Sequence, residues 1–366
     1  MRTQIWLGAC LLAVLIASTG CGEDTASFSI LPDGDTFQQN TQSSNTEIDI
    51  LWVVDNSGSM ATSQSNLANN FPNFIEGFAD RNLDFQMGVA ATDNYIALPT
   101  MTSIYNSLPS NHYLKAQAQN TWSRFRDGYT SHSGVFVMNE LTPNLASTFL
   151  TNVSLGVTGL GDERMFQSMK VALDSTLNAG FLRAESFLAV IILTDEDDFS
   201  HDGTNYLDGQ YSNTNLHTVA SYKQHLDTLT GSTDTRRRYN VHSIAIQDVA
   251  CRDSLGAGRR IATRVNQLAD LTGGTRFSLC GNFATGLSLI ADNILELSTQ
   301  FYLSRIPIES TIAVKINGVD VPNVSTSPGN GWYYNAVANS IMFQGTAVPP
   351  QGSSISVNFD PVSLGG

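Results

Sequence analysis

Three oxygen-bearing side chains alternate in the short segment DNSGS: Asp55, Ser57 and Ser59. One carboxylate and two hydroxyls with this spacing can turn onto a single point. Oxygen ligands of this kind suit a hard divalent cation such as Mg²⁺ or Mn²⁺. Asp and Ser are also common at turns and helix N-caps, so the triplet needs support from its surroundings.

The residues around the triplet strengthen the metal-site interpretation. It directly follows residues 48–54 (IDILWVV), an apolar run typical of a strand buried on both faces of a parallel sheet. A second such run, residues 187–193 (FLAVIIL), is followed by Thr194 and Asp195. In open α/β sheets, ligands bind beyond the carboxyl ends of the strands. We therefore expect Asp195 to face the same crevice as Asp55.

Strands and helices alternate through the middle of the chain. Apolar runs predict strands at 48–54, 85–91, 135–138, 187–193, 241–246 and 275–279, and a period near 3.6 predicts helices at 67–78, 165–177, 216–229, 261–271 and 287–303. This alternation favours an α/β domain with a mainly parallel sheet over residues 46–303. Residues 94–133 have no clear period and are predicted to form an insertion or long loops.

Aromatic residues concentrate in that irregular segment: Tyr95, Tyr105, Tyr113, Trp122, Phe125 and Tyr129. Aromatic side chains in a long loop near a site indicate a recognition surface. They can equally form a small core belonging to the insertion itself. The sequence leaves both interpretations open.

The periodicity changes to two after about residue 305. Ile312, Val314 and Ile316 alternate with polar residues, and Asn317-Gly318 is a hairpin turn signal. Later alternating pairs, and turns marked by Gly and Pro, continue the pattern to the end. We predict a small all-β module, a β-sandwich, over residues 304–366.

The first residues resemble an export signal. Arg2, a short apolar run and small residues before Cys21 fit a signal peptide over residues 1–20, and the run is too short for a membrane span. The ending Ser-Thr-Gly-Cys resembles a lipoprotein box, which implies a lipid on Cys21 and anchoring in a bacterial envelope. Ser18 stands where Leu is usual, so a plain signal peptide is the alternative. Residues 21–45 are polar and are predicted to form a flexible tether.

Two of the four cysteines remain for the folded part. Cys10 lies in the predicted signal peptide, and Cys21 would carry the lipid. An exported chain folds where disulfides persist, so Cys251 and Cys280 are expected to be paired rather than free. No CxxC or Cys/His cluster indicates zinc.

The DxSxS segment after one buried strand, with Thr-Asp after another, resembles the metal-ion-dependent adhesion site (MIDAS) of von Willebrand factor A (VWA) domains. The resemblance covers residues 46–303 and implies a doubly wound, Rossmann-like sheet with the site on its upper edge. It implies that Ser57, Ser59 and a Thr from another loop touch the metal, while Asp55 and Asp195 act through water. Thr158 is the expected Thr, and Thr151 is the alternative.

Two further expectations follow from this resemblance. In such a sheet Cys251 and Cys280 lie at the carboxyl ends of neighbouring strands. Glu196 stands where the family often has Gly, within an acidic run that continues to Asp197 and Asp198. The run could tune the metal site or hold a second cation such as Ca²⁺ near Asp197 and Asp198, but the default interpretation of these two residues is a solvated acidic turn.

The net charge and the absence of catalytic motifs narrow the function. With 33 acidic and 19 basic residues the formal charge is −14, which disfavours nucleic acid as a partner. The resemblance implies a non-catalytic, adhesin-like envelope lipoprotein, at the outer membrane or cell surface, whose partner offers a carboxylate to the metal. The alternatives are a periplasm-facing scaffold subunit and a metal-dependent hydrolase. A hydrolase needs a general base, and no His falls in the site motifs.

Overall fold

The computed structural model describes residues 33–38, 47–79, 83–233, 236–324 and 329–362. The predicted signal peptide and Cys21 lie outside these residues, as does most of the predicted tether. The strands are β1 (Asp33–Gln38), β2 (Ile48–Val54), β3 (Phe85–Ala91), β4 (Val137–Asn139), β5 (Phe187–Leu193), β6 (Tyr239–Ala245), β7 (Arg276–Ser278), β8 (Phe301–Tyr302), β9 (Ala313–Ile316), β10 (Val319–Asp320), β11 (Gly331–Asn335), β12 (Ser340–Gln344) and β13 (Ser354–Phe359). The α-helices are α1 (Ala61–Ala79), α2 (Thr102–Ser107), α3 (Leu145–Val153), α4 (Met165–Asp174), α5 (Val219–Thr230), α6 (Val249–Leu255), α7 (Thr263–Thr272) and α8 (Phe283–Ser298).

A six-stranded sheet occupies the middle of the fold, with strand order β4-β3-β2-β5-β6-β7. All neighbouring pairs are parallel except β3 with β4, which lies antiparallel at one edge. The prediction of a mixed α/β fold with a mainly parallel sheet is confirmed. The central strands β2 and β5 pair in register, from Ile48 opposite Phe187 to Val54 opposite Leu193. Their carboxyl ends therefore lie level with each other.

Both faces of this sheet are covered, which explains why its central strands lack polar alternation. Along β2, Ile50, Trp52 and Val54 point into one apolar core, while Leu51 and Val53 point into another. Helices α1 and α8 contribute to the first core, and α4, α5 and α7 contribute to the second. Each fully buried aliphatic side chain contributes about 1.5–3 kcal/mol, so continuous apolar runs fix these strands in the centre.

Helix ends follow capping residues more closely than apolar periodicity. The predicted helix 287–303 instead begins at Phe283, because the Asn282 side chain accepts a hydrogen bond from Thr285 N at 3.1 Å. Helix α5 begins after Thr218, whose hydroxyl accepts from Ser221 N at 3.1 Å. It ends at Thr230, and the next residue, Gly231, adopts φ 65°. No helix among the described residues is both long and apolar enough to cross a bilayer.

The C-terminal region forms two small antiparallel sheets, ordered β11-β12-β8 and β1-β13-β9-β10. Asn317 and Gly318 have φ values of 51° and 80°, and they turn the chain from β9 into β10 as the sequence predicted. Strand β8 precedes the predicted module boundary at residue 304. The apolar side chains of these sheets join the core formed by α1 and α8, so one continuous core links the C-terminal strands to the parallel sheet.

Strand β1 lies within the segment predicted as a tether. It pairs antiparallel with β13, with Asp33 opposite Phe359 and Gln38 opposite Ser354. The polar composition of residues 21–45 did not predict a strand there. Pairing uses backbone N–H and C=O groups, which every residue except proline supplies, so composition alone does not reveal it.

The pairing of Cys251 with Cys280 is confirmed. The two residues form a disulfide with a Cα–Cα distance of 5.7 Å. Cys251 lies in α6, which follows β6, and Cys280 lies two residues beyond β7. The link closes the carboxyl-terminal side of two neighbouring parallel strands, in agreement with the expected position of both cysteines.

Candidate metal centre

Asp55 and Asp195 reach the same edge of the sheet because β2 and β5 end level with each other. Asp55 is the first residue after β2, and Asp195 is the second after β5. The backbone N of Asp55 donates to the carbonyl of Leu193 at 2.9 Å, which extends the parallel ladder to the site. Asp55 is fully buried and Asp195 is 3% exposed.

A chain of hydrogen bonds connects four of the five predicted metal-site residues. Asp55 accepts through Oδ1 from Ser57 N at 2.8 Å. The Ser57 and Ser59 hydroxyl oxygens lie 3.2 Å apart, and the Ser59 hydroxyl donates to Asp195 Oδ1 at 3.1 Å. Thr194, which sequence reasoning noted only as a strand end, donates to Asp55 Oδ2 at 2.9 Å. Hydrogen bonds thus connect carboxylates and hydroxyls from two strand ends at one edge of the sheet.

The loop that carries Thr158 packs against the DxSxS loop. The backbone N of Gly159 donates to the carbonyl of Asn56 at 2.8 Å. A Cβ atom on Gly159 would lie only 2.6 Å from that carbonyl oxygen, so only glycine permits this approach. The exposed Thr158 side chain has its hydroxyl 3.0 Å from the Tyr129 hydroxyl. The structure therefore brings the Thr158 loop to the site and places its hydroxyl at the rim.

Gln64, at the start of α1, connects the DxSxS loop to the Thr158 loop by hydrogen bonds. Its Nε2 donates to the carbonyls of Asp55 and Gly156, both at 2.9 Å. Its Oε1 accepts from Leu155 N at 3.1 Å. The alternative metal ligand Thr151 lies on α3 instead, where its hydroxyl donates to the carbonyl of Ser147 at 3.1 Å. Thr158 is thus the better placed of the two threonines.

The electrostatics of the site favour a bound cation. Burial, and next the charge of Asp195, raise the pKa of Asp55 to about 6, against hydrogen bonds from Ser57 and Thr194 that lower it. Burial also raises the pKa of Asp195, against the Ser59 hydrogen bond and the charge of Arg259. Arg259 Nε lies 2.6 Å from Asp195 Oδ2. Arg259 pairs with Asp195 and not with Asp55, so one arginine does not offset the charge of both buried carboxylates, and a cation would neutralise the remainder.

Two glutamates at this edge were not recognised as a pair from the sequence. Glu163 is 1% exposed, and its pKa is raised well above the ordinary value by burial, then by the charges of Asp55 and Glu196. Glu196 is half-buried, and burial followed by the charges of Asp55 and Asp208 raises its pKa to about 8. The only sequence feature that could have indicated a role for Glu163 was its position, as an acidic residue shortly after the Thr158 loop.

Asp197 and Asp198 are helix caps at the N-termini of α7 and α4. Asp197 Oδ1 accepts from the backbone N of Arg264 at 2.9 Å. Asp198 Oδ1 accepts from the backbone N of Phe166 at 2.9 Å. Both residues are fully buried, so the interpretation as a solvated acidic turn is wrong. Their oxygens accept from backbone N–H donors at two helix N-termini, and calcium binding at these two residues stays a prediction.

The aromatic residues of the irregular segment 94–133 lie partly in a core and partly at the rim of the site. Tyr95 and Trp122 belong to a small local core, and Phe125 packs into the core beneath the sheet. Tyr113 lies instead beside the DxSxS loop, where its hydroxyl accepts from Asn56 Nδ2 at 2.9 Å. Asp93 Oδ2 accepts from the same nitrogen at 3.2 Å, so Asp93 also lies at this edge of the sheet.

The donor set matches a hard cation held partly by hydroxyls. Among the described residues, no group of three or more Asp, Glu, His or Cys side chains has the arrangement of a metal site. A cation at this edge would therefore depend on Ser57 and Ser59 as well as on Asp55 and Asp195. Hydroxyl and carboxylate oxygens are the ligands that Mg²⁺ and Mn²⁺ prefer.

Comparisons with known proteins give only weak similarities. No protein-family model and no curated protein matches the chain. Similar solved structures include the pilus adhesin SpaC from Lactobacillus rhamnosus GG, with a TM-score of 0.38 and 12% identity over 89% of this chain and 42% of that one. The pilus adhesin RrgA from Streptococcus pneumoniae has a TM-score of 0.34 and 8% identity, over 90% and 57% of the two chains. Proximal thread matrix protein 1 from the mussel byssus has a TM-score of 0.34 and 13% identity, over 71% and 50%.

This chain spans about half the length of each of those proteins. At these TM-scores and identities the similarities support no conclusion about fold or function. The case for a site therefore depends on the geometry at the carboxyl ends of β2 and β5.

The raised pKa of Asp55 predicts that the cation-free protein loses stability as the pH rises. The folded state holds the proton more tightly than the unfolded state, whose pKa is 3.8. The resulting stabilisation is complete below about pH 4 and is lost as the pH rises through about 6, in total about 3 kcal/mol. Thermal melts in EDTA from pH 5 to pH 8 should show falling melting temperatures. A fall of equal size in Asp55→Asn would contradict this assignment.

Proposed function

We propose that the chain is an envelope lipoprotein whose parallel sheet is a VWA domain and which binds a protein or surface ligand through Mg²⁺ or Mn²⁺. In this proposal, the sheet with helices on both faces is the doubly wound sheet of that family. The protein is adhesin-like and non-catalytic. The proposed signal peptide and lipid on Cys21 hold it at the outer membrane or cell surface.

One observation carries this proposal: the hydrogen-bonded chain from Asp55 through Ser57 and Ser59 to Asp195. These residues come from two strand ends that are 136 or more residues apart in sequence, as the separation of Ser59 and Asp195 shows. A turn or a helix cap needs only one of these segments. Oxygen-bearing side chains from two distant segments, linked by hydrogen bonds at one sheet edge, are better explained by a ligand that binds them together.

In this proposal, some residues of the chain would bind the cation directly and others would act through water. The hydroxyls of Ser57, Ser59 and Thr158 would bind it directly, while Asp55 and Asp195 orient water and the hydroxyls by accepting hydrogen bonds. The cation would act as a Lewis acid for a carboxylate of the partner, which fills a remaining coordination position. Hydroxyls bring no charge, so the bound cation retains its attraction for that carboxylate.

The test compares the wild type with Asp55→Ala. Calorimetric titration with Mn²⁺ should show an affinity about 10–100-fold weaker in the variant, because one charge and the water it orients are removed. Capture of envelope proteins by the immobilised chain should require Mg²⁺ or Mn²⁺ and should be lost in EDTA and in Asp55→Ala.

The matched control is Asp84→Ala. Asp84 is also an aspartate beside a central strand, but it precedes β3 at the opposite edge of the sheet, where it pairs with Arg183. Its replacement should leave the Mn²⁺ affinity unchanged. Partner capture that persists in both EDTA and Asp55→Ala would mean that the partner docks elsewhere, and unchanged Mn²⁺ affinity in Asp55→Ala would refute the site.

A further inference from the structure

A cavity of about 310 Å³ opens beside the candidate metal centre, and its lining residues all fall between residues 113 and 136. Two of these residues also belong to the rim of that centre. The Tyr113 hydroxyl accepts from Asn56 Nδ2 at 2.9 Å, and the Tyr129 hydroxyl lies 3.0 Å from the hydroxyl of Thr158. Pockets for small molecules begin at about 300 Å³, so the cavity has room for one small ligand.

Arg126 lines this cavity as a buried cation without an acceptor. It is 8% exposed, its Nε lacks a hydrogen-bond partner, and its side chain forms no ion pair with the described residues. Burial lowers the pKa of Arg126, and the charges of Asp93 and Asp127 act in the opposite direction. A buried guanidinium without acceptors is costly, and a ligand with acceptor oxygens would supply them.

The carboxylates near Arg126 make their close contacts with other groups. Asp93 accepts a hydrogen bond from the DxSxS loop at 3.2 Å, and Asp127 Oδ1 lies 2.9 Å from Nδ1 of His132. The exposed Arg124 also lines the cavity, which therefore has two arginines against one aspartate in its lining. The cavity is thus locally positive in a chain of net charge −14, and it favours an anion.

Aromatic rings determine which anion fits. The Arg126 guanidinium lies 4.2 Å from the centre of the Trp122 ring. The Tyr113 ring meets those of Trp122 and Tyr129 edge to face, with 5.5 Å between centroids in both pairs. Stacking fixes the plane of a guanidinium without using its in-plane N–H groups, which can bind a carboxylate through two parallel hydrogen bonds. The rings offer apolar contacts to the rest of the ligand.

We propose that this cavity binds a small aromatic carboxylate, whose carboxylate pairs with Arg126 and whose ring packs against Trp122 and Tyr129. The inference goes beyond the proposed function and does not require a bound cation. It adds a second ligand site to the edge of the sheet where the metal centre lies.

The experiment is an NMR titration of the ¹⁵N-labelled full chain with benzoate in EDTA, which prevents the carboxylate from binding through a cation. The reporter is the indole N–H of Trp122, which donates to the carbonyl of Leu114 at 2.8 Å and is assigned with Trp122→Phe. Benzoate should shift this resonance with a Kd on the order of 1 mM. Benzamide has the same shape without the charge and should bind about tenfold more weakly or less.

Three variants separate the guanidinium from its charge. Arg126→Lys keeps a positive charge near Asp93 but lacks the planar fork, so benzoate affinity should fall about tenfold at a melting temperature close to that of the wild type. Arg126→Gln removes the charge as well and should abolish binding. The matched control, Arg124→Gln, removes an exposed arginine from the same cavity and should weaken binding only about two- to threefold.

Several outcomes would overturn the inference. Equal affinities for benzoate and benzamide, or no saturable shift, would contradict a carboxylate site. Inorganic phosphate that binds as tightly as benzoate, or equal losses in Arg124→Gln and Arg126→Lys, would indicate general attraction of anions. A lower melting temperature of Arg126→Lys at unchanged benzoate affinity would make Arg126 a structural counterion of Asp93. Arg126→Lys decides the question if Arg126→Gln does not fold. All these measurements are made in EDTA, so they can fail independently of the Mn²⁺ titration of Asp55→Ala.

Discussion

Replacing Arg164 by methionine is expected to lower the free energy of unfolding by about 3–5 kcal/mol. The Arg164 side chain is fully buried, and its Nε donates to Asp162 Oδ2 at 2.9 Å. Its Nη1 donates to the carbonyls of His201 and Gly203 at 2.7 and 3.1 Å, and the guanidinium lies 4.5 Å from the centre of the Tyr95 ring. Removal leaves a buried carboxylate and two carbonyls without donors. Urea denaturation would measure the loss.

Arg260→Met provides the control for Arg164→Met. Arg260 also pairs with an aspartate, through Nε to Asp208 Oδ1 at 2.5 Å, but 35% of its side chain is exposed. The pair lies near the surface, so solvent can hydrate Asp208 once Arg260 is replaced, and the loss should be below about 1 kcal/mol. Adding Asp162→Asn to Arg164→Met should recover part of the stability, since no unpaired buried charge remains. Equal losses in the two single variants would contradict the explanation from burial.

Removing the disulfide should destabilise the protein by about 3.5 kcal/mol in the chain-entropy model. Cys251 and Cys280 are separated by 29 residues, and the bond restricts that loop in the unfolded state. The double variant Cys251→Ser/Cys280→Ser should therefore melt at a lower temperature than the wild type. It should keep its affinity for Mn²⁺, because neither cysteine belongs to the site.

The wild type in a reducing agent is the control for the disulfide prediction. Its melting temperature should fall towards that of the double variant, and the reducing agent should not affect the double variant. A double variant that melts with the wild type under oxidising conditions would show that the loop is already ordered in the unfolded chain.

Central strands were predictable from the sequence, whereas element ends and edges were not. Residues 48–54, 85–91 and 187–193 form strands with the predicted bounds, because burial on both faces requires a continuous apolar run. The start of α8 at Phe283 depends on the Asn282 cap, a local hydrogen bond that periodicity does not reveal. Strand β1 depends on backbone pairing with the far end of the chain.

The candidate site was likewise predictable only in part from the sequence. Asp55 and Asp195 were predictable as partners because parallel strands bring their carboxyl ends to one edge. The capping roles of Asp197 and Asp198 depend on where α7 and α4 begin in three dimensions. The burial of Glu163 depends on the elements that pack around it, which the sequence of its own segment does not reveal.

Gln64 has a consequence for the rate at which anything can bind at this edge. Its three hydrogen bonds hold residues 155 and 156 against Asp55, so the backbone around Thr158 is ordered during folding rather than at the moment of encounter. Loop rearrangement slows association and weakens affinity by the entropy it removes. If the binding edge is already rigid, the association rate is limited by encounter and by dehydration of the incoming ion. Differences in affinity between ligands should then arise mainly from their dissociation rates.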